Sequence, residues 1–508
     1  MSYSIQSRFT ASIIANVLRS GLSFLTGILL ARLLGPEQYG RMVFLLASFA
    51  AVRLFLDLGS SSAFFTLLSQ KSRSQQFVRA FWCWIGFQFA FAISLLLILL
   101  PNSVILSLWG NESRLVLVLA FAASFVQGSV WTQASQMAEA SRETVNVQRL
   151  STLIVLMHLA VVCLLGWIGS LAVPFVFAAL VAEWSAGSWF AARMYRTELN
   201  SDTEPQDPAQ VKGEFHAFFR YCWPLVPLSV LSFAHDFADR WMLQNWGGAV
   251  QQAYFGVAQQ FAAAALLATS SILRIFWKEI AEATHQGDLK RAKYLYQRIS
   301  RMLYFIGASI TGLVLPWSEH ILRMTVGAAY VDGVTTMMLM LLYPVHQSMG
   351  QIGGTFLLAT GQVRAQVALG AGYMIASLLA GYVVLAPTDA AIPGFGLASQ
   401  GLAWKMVTLQ IVGVNATAWV ISRRFGWSFD WGYQLIGLGG CVAIGAIGYY
   451  LVTAVIFAGS SLFVQVPIAM TIYGSLLFIM VYAVPSSAGL TRSDITNGLQ
   501  HILAMKVR

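Results

Sequence analysis

The chain has 508 residues, of which 57% are hydrophobic and 10% charged, against roughly 25% charge in ordinary soluble domains. That composition excludes a soluble fold, and the apolar runs of about 20 residues that recur from end to end each suffice to cross a hydrocarbon core of ~30 Å as a helix. The formal net charge of +10 would suit a nucleic acid, but the cations sort by side of the membrane, which accounts for the excess without one.

The pattern specifies an all-α polytopic membrane protein of about fourteen spans. In chain order they are expected near 9–33, 42–66, 79–100, 113–137, 150–168, 170–194, 221–245, 251–277, 299–317, 333–359, 364–386, 395–420, 434–457 and 462–485. The first is too long for a cleavable signal, carries Arg19 in its middle, and leads at once into a second span, so it is expected to stay in the protein. A polar connection divides the chain into an N-lobe (1–198, spans one to six), a cytoplasmic linker (199–218) and a C-lobe (219–425, spans seven to twelve). Residues 426–508 add a hairpin of two spans and a tail. The lobes begin alike: Leu34-Gly35-Pro36 and Tyr39-Gly40 follow span one, Trp246-Gly247-Gly248 and Tyr254-Phe255-Gly256 follow span seven. Tandem repeats of this kind often build transporters. Pro224, Pro227 and Pro344 are expected to kink spans seven and ten.

With the N-terminus in the cytoplasm, 23 Lys and Arg fall on the cytoplasmic side and four (Arg32, Arg41, Arg114, Arg323) outside. Both termini are therefore expected in the cytoplasm. The four cysteines lie in separate spans without ligand spacing, so neither a disulfide framework nor a metal site is indicated. There is no GxxxxGK[ST], HExxH or GxSxG motif. The outer loops are short and lack the acidic pairs of a glycosyl-transfer enzyme. Transport is favoured over catalysis.

Eight ionisable residues fall inside spans: Arg19, Arg53, Asp57, Glu183, Asp236, Asp239, Arg240 and Lys405. Charges at such depth are expensive and usually face a cavity or a partner. Arg19, Arg53 and Lys405 each lie ten or eleven residues into their spans, near the midplane. Together they could line a cavity for an anion, guanidinium being suited to phosphate by its paired donors. The bland alternatives are helix bridges, Arg53 with Asp57 and Asp236 with Arg240, each four residues apart. Asp57, Glu183, Asp236 and Asp239, with His235 beside the last two, are the candidates for a coupling proton or sodium ion. No other cofactor is expected.

Residues 15–64 resemble the start of bacterial oligosaccharide flippases, the Wzx-like polysaccharide transporters of the MOP superfamily, relatives of the lipid II flippase and of MATE drug exporters. Leu30-Ala31-Arg32, Leu34-Gly35-Pro36, Tyr39-Gly40 and Asp57-Leu58-Gly59 carry the likeness. The resemblance implies alternating-access movement of undecaprenyl-pyrophosphate-linked oligosaccharide units from the cytoplasmic to the periplasmic leaflet of the inner membrane, with arginines of a central cavity holding the pyrophosphate between the lobes. Arg19 and Arg53 occupy matching places, and Arg274, low in span eight, resembles a third. Partners implied are the lipid-linked oligosaccharide, membrane lipids, and the polymerase and co-polymerase of the same pathway. The alternatives are a lipid II flippase, a MATE-type exporter of cationic drugs, which an arginine pair at mid-depth disfavours, and a membrane polymerase or ligase, which would need a large outer loop.

Overall fold

A computed structural model describes residues 5–70, 73–141, 143–199, 208–457 and 459–497; the side chains before residue 14 and at 196–199, 208–210 and 268–278 lie outside that description. Every regular element among the described residues is helical. Lipid demands this, since a spanning segment must satisfy its own backbone hydrogen bonds. Eleven helical segments are long and apolar enough to cross a membrane. The chain forms two compact units, one of Met1–Gly256 with Met374–Ser399, the other of Val257–Tyr373 with Gln400–Arg508. The lobes expected from the sequence are defined by span order, whereas these units group residues by proximity.

The first unit contains α1 (Ile5–Asp57), α2 (Ser60–Gln70), α3 (Gln75–Ser94), α4 (Asn102–Trp109), α5 (Arg114–Phe125), α6 (Trp131–Ala140), α7 (Thr144–Trp167), α8 (Val173–Leu199), α9 (Pro208–Cys222) and the start of α10 (Val226–His285). Two of the long segments are bent. In α1, Gly35 has φ 72° and ψ 169°, a conformation that glycine adopts without Cβ strain. Pro36 then starts the second half, its missing N–H being no loss at a helix N-terminus. In α10, Gly248 repeats the conformation at φ 82° and ψ 178°, 213 positions later.

The packing of these bends identifies them as one device used twice. A Cβ on Gly40 would overlap the carbonyl oxygen of Ala249 and lie 3.1 Å from the nitrogen of Ala253; a Cβ on Gly256 would lie 3.1 Å from Cγ1 of Val43. Residues 253 and 256 are the counterparts of 40 and 43 at the same 213-residue offset. Each position therefore meets its own repeat, the signature of a local two-fold relation. The sequence pattern had the repeat in a different register: the counterpart of Tyr39-Gly40 is Gln252-Ala253, not the later Tyr254 to Gly256.

The second span, expected over 42–66, is broken. α1 stops at Asp57, Leu58 (φ 48°) and Gly59 (φ 80°) turn left-handed, and α2 restarts at Ser60. The freed groups are satisfied locally. Asp57 Oδ1 accepts from Ser60 Oγ at 3.0 Å, from Ser61 N at 3.1 Å and from Ser61 Oγ, so its carboxylate, two residues before the N-cap position at Gly59, satisfies a free donor in the first turn of α2. Gln88 Nε2 donates to the carbonyl of Leu56 at 2.8 Å.

Pro224 marks a boundary: a 3₁₀ turn, Trp223–Leu225, separates α9 from α10. α9 is tied down by its buried Glu214, 2% exposed. The carboxylate accepts from the backbone N–H of Ser74 at 3.3 Å and from its Oγ at 2.5 Å, while that Oγ accepts from Phe77 N at the start of α3. Phe215 and Phe218 of α9 pack edge-on against Phe77.

The second unit comprises the rest of α10, then α11 (Leu289–Val314), α12 (Ser318–Thr325), α13 (Val334–Ala359), most of α15 (Ala398–Phe425), α16 (Gly432–Tyr450) and α17 (Leu462–Ala483), with α14 (Val363–Leu385) contributing up to Tyr373. The hairpin α16–α17 is bonded closely into this unit. A Cβ on Gly312 of α11 would overlap the carbonyl oxygen of Cys441, and one on Gly445 the carbonyl oxygen of Gly312. Small residues let helices approach this closely in lipid, where packing drives association. Tyr473 OH adds a bond to the carbonyl of Ser309 at 2.8 Å, and Gln434 and Asn415 exchange amide hydrogen bonds at 2.7 and 3.2 Å.

Candidate functional site

Two of the expected cations sit in the first unit, one in each half of α1. Arg53 donates from Nη1 to the carbonyl of Gly128 at 2.7 Å. That carbonyl lies in a π-helical turn, Val126–Val130, between α5 and α6. Such turns loosen the helical ladder and occur often at functional sites. The glycine leaves room for that contact, because a Cβ there would stand 2.5 Å from Arg53 Nε and 2.6 Å from Cζ and would displace the guanidinium. The buried Nε has no hydrogen-bond partner among the described residues. A guanidinium has five N–H donors, so most of this one's capacity is unspent. The Arg53–Asp57 helix bridge weighed from their spacing does not form, since the Asp57 oxygen that bonds is engaged by the first turn of α2.

Arg19 is half-buried. It donates from Nη2 to Asn16 Oδ1 at 2.6 Å and from Nη1 to Ser151 Oγ of α7 at 3.3 Å. Its hydrogen-bond partners, like that of Arg53, are neutral. Arg19 and Arg53 contact different helices and share no partner. On α6 below the π turn, Gln133, Gln136 and Glu139 recur every third residue and mark a polar stripe. Both polar side-chain atoms of Gln133 and Oε1 of Gln136 are buried without a hydrogen-bond partner among the described residues, and Glu139 accepts from Gln148 of α7 at 3.4 Å.

Of the carboxylates singled out by depth, Glu183 of α8 and Asp239 are buried. His158 Nδ1 of α7 lies 2.8 Å from Glu183 Oε2, the side chains being 12% and 7% exposed; Oε1 is buried with no partner among the described residues. His158 escaped sequence reasoning, although a histidine in the middle of span five was signal enough. In span seven, His235 lies 2.7 Å from Asp236 Oδ1 and 2.9 Å from Ser377 Oγ; Asp236 is half exposed and Asp239 buried. Arg240 is held in the hinge: Nη1 reaches Gln252 Oε1 at 3.5 Å, Gln252 Nε2 donates to the Arg240 carbonyl at 2.6 Å, and the guanidinium lies 4.8 Å from the Phe255 ring. Lys405 is buried on α15, 4% exposed, and belongs to the second unit. The side chain of Arg274 lies outside the described residues.

A helical bundle with bent and broken spans and charges held inside is similar in fold to solved membrane transporters, two of them described as members of the MOP superfamily. The structure is similar to a lipid II flippase, MurJ, in an inward closed conformation, with a TM-score of 0.67 at 13% identity over 93% of this chain and 98% of that one. It is also similar to an inward-facing multidrug resistance MATE transporter (TM-score 0.59, 14% identity, 81% and 96% covered). A MOP superfamily transporter from Pyrococcus furiosus gives 0.53 at 14% identity, with 83% and 97% covered. No curated protein matches the chain in sequence. Residues 7–276, just over half of the chain, match the family model described as polysaccharide biosynthesis protein, and the chain belongs to that family. It is a multi-pass membrane protein with many apolar helices, and the solved structures it is similar to are a flippase and transporters.

Proposed function

We propose that this protein is a flippase that carries undecaprenyl-pyrophosphate-linked oligosaccharide repeat units from the cytoplasmic to the periplasmic leaflet of a bacterial inner membrane, for exopolysaccharide, capsule or O-antigen synthesis. The observation that carries the reading is that Arg19 and Arg53, half-buried on α1, hydrogen-bond only to neutral partners. Glu139 and Asp57 act on them electrostatically but spend their hydrogen bonds elsewhere; a cation at such depth with no directly bonded counter-ion is costly, and an anionic headgroup supplies one. Pyrophosphate accepts paired hydrogen bonds from guanidinium, and membership of a polysaccharide-biosynthesis family supports a lipid-linked sugar as the rest of the ligand. An inside-negative potential favours outward movement of an anion by ~2.3 kcal/mol per charge per 100 mV.

In this reading both termini are cytoplasmic. The spans number fourteen if each half of α1 and α10 crosses separately and α15 crosses as well. Access to the site alternates between the two sides, and polymerase and co-polymerase proteins act on the exported unit. The His158–Glu183 pair is the first candidate for a coupling proton, with Asp57, Asp236 and Asp239 behind it.

The test is Arg19→Ala and Arg53→Ala, with lipid-linked intermediates measured on each side of the membrane and protein levels matched. Accumulation on the cytoplasmic side and at least a tenfold fall in surface polysaccharide are expected; normal polysaccharide in both variants sinks the model. Loss of viability instead of loss of one surface polysaccharide would favour lipid II as the cargo. Glu183→Gln, which keeps a hydrogen bond to His158 but cannot ionise, is expected to remove the dependence of export on an imposed proton gradient. Unchanged dependence would move coupling to another group.

A further inference from the structure

Three spans of the first unit enclose a cavity of about 750 Å³ that none of the residues discussed so far lines. Each helix gives it one face: Gln75, Arg79 and Trp82 from α3, Ser188, Trp189 and Tyr195 from α8, with Val130 and Met137 as an apolar floor from the π turn and α6. Its volume is within the ~300–1,000 Å³ of ligand pockets.

Its chemistry is graded along the helices. Arg79 and Gln75 belong to the first turns of α3, and Tyr195 lies at the far end of the face of α8, so the polar mouth is at the end of the spans that carries the chain's excess cations. Arg79 donates to Gln75 Oε1 at 3.1 Å. Arg193, on the same part of α8, holds its guanidinium 3.6 Å from the centre of the Trp189 ring. The lining contains no acid. At the start of α3 the N–H of Phe77 is engaged by Ser74 Oγ and that of Ser74 by Glu214; the cation in the lining is Arg79, with Arg193 stacked on the lining ring of Trp189. From Tyr195 inward the lined face of α8 ends at Ser185, ten residues or ~15 Å along the axis. That is half of the ~30 Å hydrocarbon thickness, the depth of one leaflet. Tryptophan rings at the headgroup level complete an arrangement suited to an amphiphile.

We infer that this groove is a binding site for an anionic phospholipid of that leaflet, its phosphate at Arg79 and Arg193 and one acyl chain along Val130 and Met137. Basic pockets between spanning helices recognise anionic headgroups in this way. The inference stands apart from the proposed cargo, whose arginines are on α1 and line no part of the groove.

The experiment uses the full-length protein in nanodiscs of phosphatidylcholine with a minor share of phosphatidylglycerol. Release into detergent and native mass spectrometry then count the lipids retained. Wild-type protein is expected to retain phosphatidylglycerol preferentially. Arg79→Gln should lower that preference about fivefold and Arg79→Gln with Arg193→Gln about 25-fold, from ~1 kcal/mol per cation. Ala192→Phe, which fills the groove without altering charge, should abolish retention. Equal retention of both lipids by the wild type, or an unchanged preference in Arg79→Gln, overturns the assignment. So does displacement of phosphatidylglycerol by an equal concentration of a polyprenyl phosphate, which would make the groove a cargo site.

Discussion

The bent helices α1 and α10 share a backbone plan and differ in what they do with it. Both turn at a left-handed glycine, and the residues after each turn pack against their own counterparts 213 positions away. Beyond the turn they part company. The second half of α1 carries Arg53, breaks at Leu58-Gly59 and restarts as α2 with Asp57 bonded to its first turn. α10 runs on unbroken to His285, and the polar groups beside its turn, Arg240 and Gln252, are spent on each other. Under the proposed function, a duplicated hinge is kept as structure in both copies while the copy on α1 also serves binding.

The comparison breaks most severely at the shared contact. Gly40→Val places a branched side chain against the backbone of Ala249, and no rotamer relieves an overlap with a carbonyl. A cost of about 3 kcal/mol or more is expected, seen as loss of monodisperse protein on size-exclusion chromatography. A folded, active Gly40→Val protein would show that the two turns do not meet as described.

A change confined to the working copy comes next. Gly128→Ala inserts a methyl group where the Arg53 guanidinium lies. Losing a charge-assisted hydrogen bond of ~1.5–3 kcal/mol corresponds to a fall of about 10- to 100-fold in transport, at normal protein level. Parity with Arg53→Ala would confirm that the glycine acts through the arginine, and wild-type export would refute it.

The smallest effect belongs to the structural copy. Gln252→Leu removes both amide bonds to Arg240 and is expected to cost about 1–3 kcal/mol in stability, read as a lower thermal midpoint in detergent, with export per folded molecule unchanged. A selective transport defect would mean that both hinges handle cargo.

Much of this was legible in the sequence because it is written locally. Membrane-crossing helices follow from apolar runs, and the turn after the first span from Leu34-Gly35-Pro36. What was hidden depends on residues far apart. Nothing near Gly128 announces that a side chain 75 positions earlier will lie on it, nor does Glu183 name His158 as its partner. The break at Leu58-Gly59 was obscured by flanking apolar residues that read as one span. The repeat was visible but slipped in register, because Tyr-Gly pairs recur near the second bend while the structure matches turn to turn.

The attachment of α9 has a consequence for how the polypeptide can be divided. Glu214 and its aromatic neighbours bind the start of α3 from a position downstream of the long connection between spans six and seven. Covalent continuity across residues 200–207 is then not what keeps that helix in place. Two separately synthesised pieces, divided between α8 and α9, would still carry the matching surfaces of α3 and α9, so that division is the natural one for a two-fragment version of the protein.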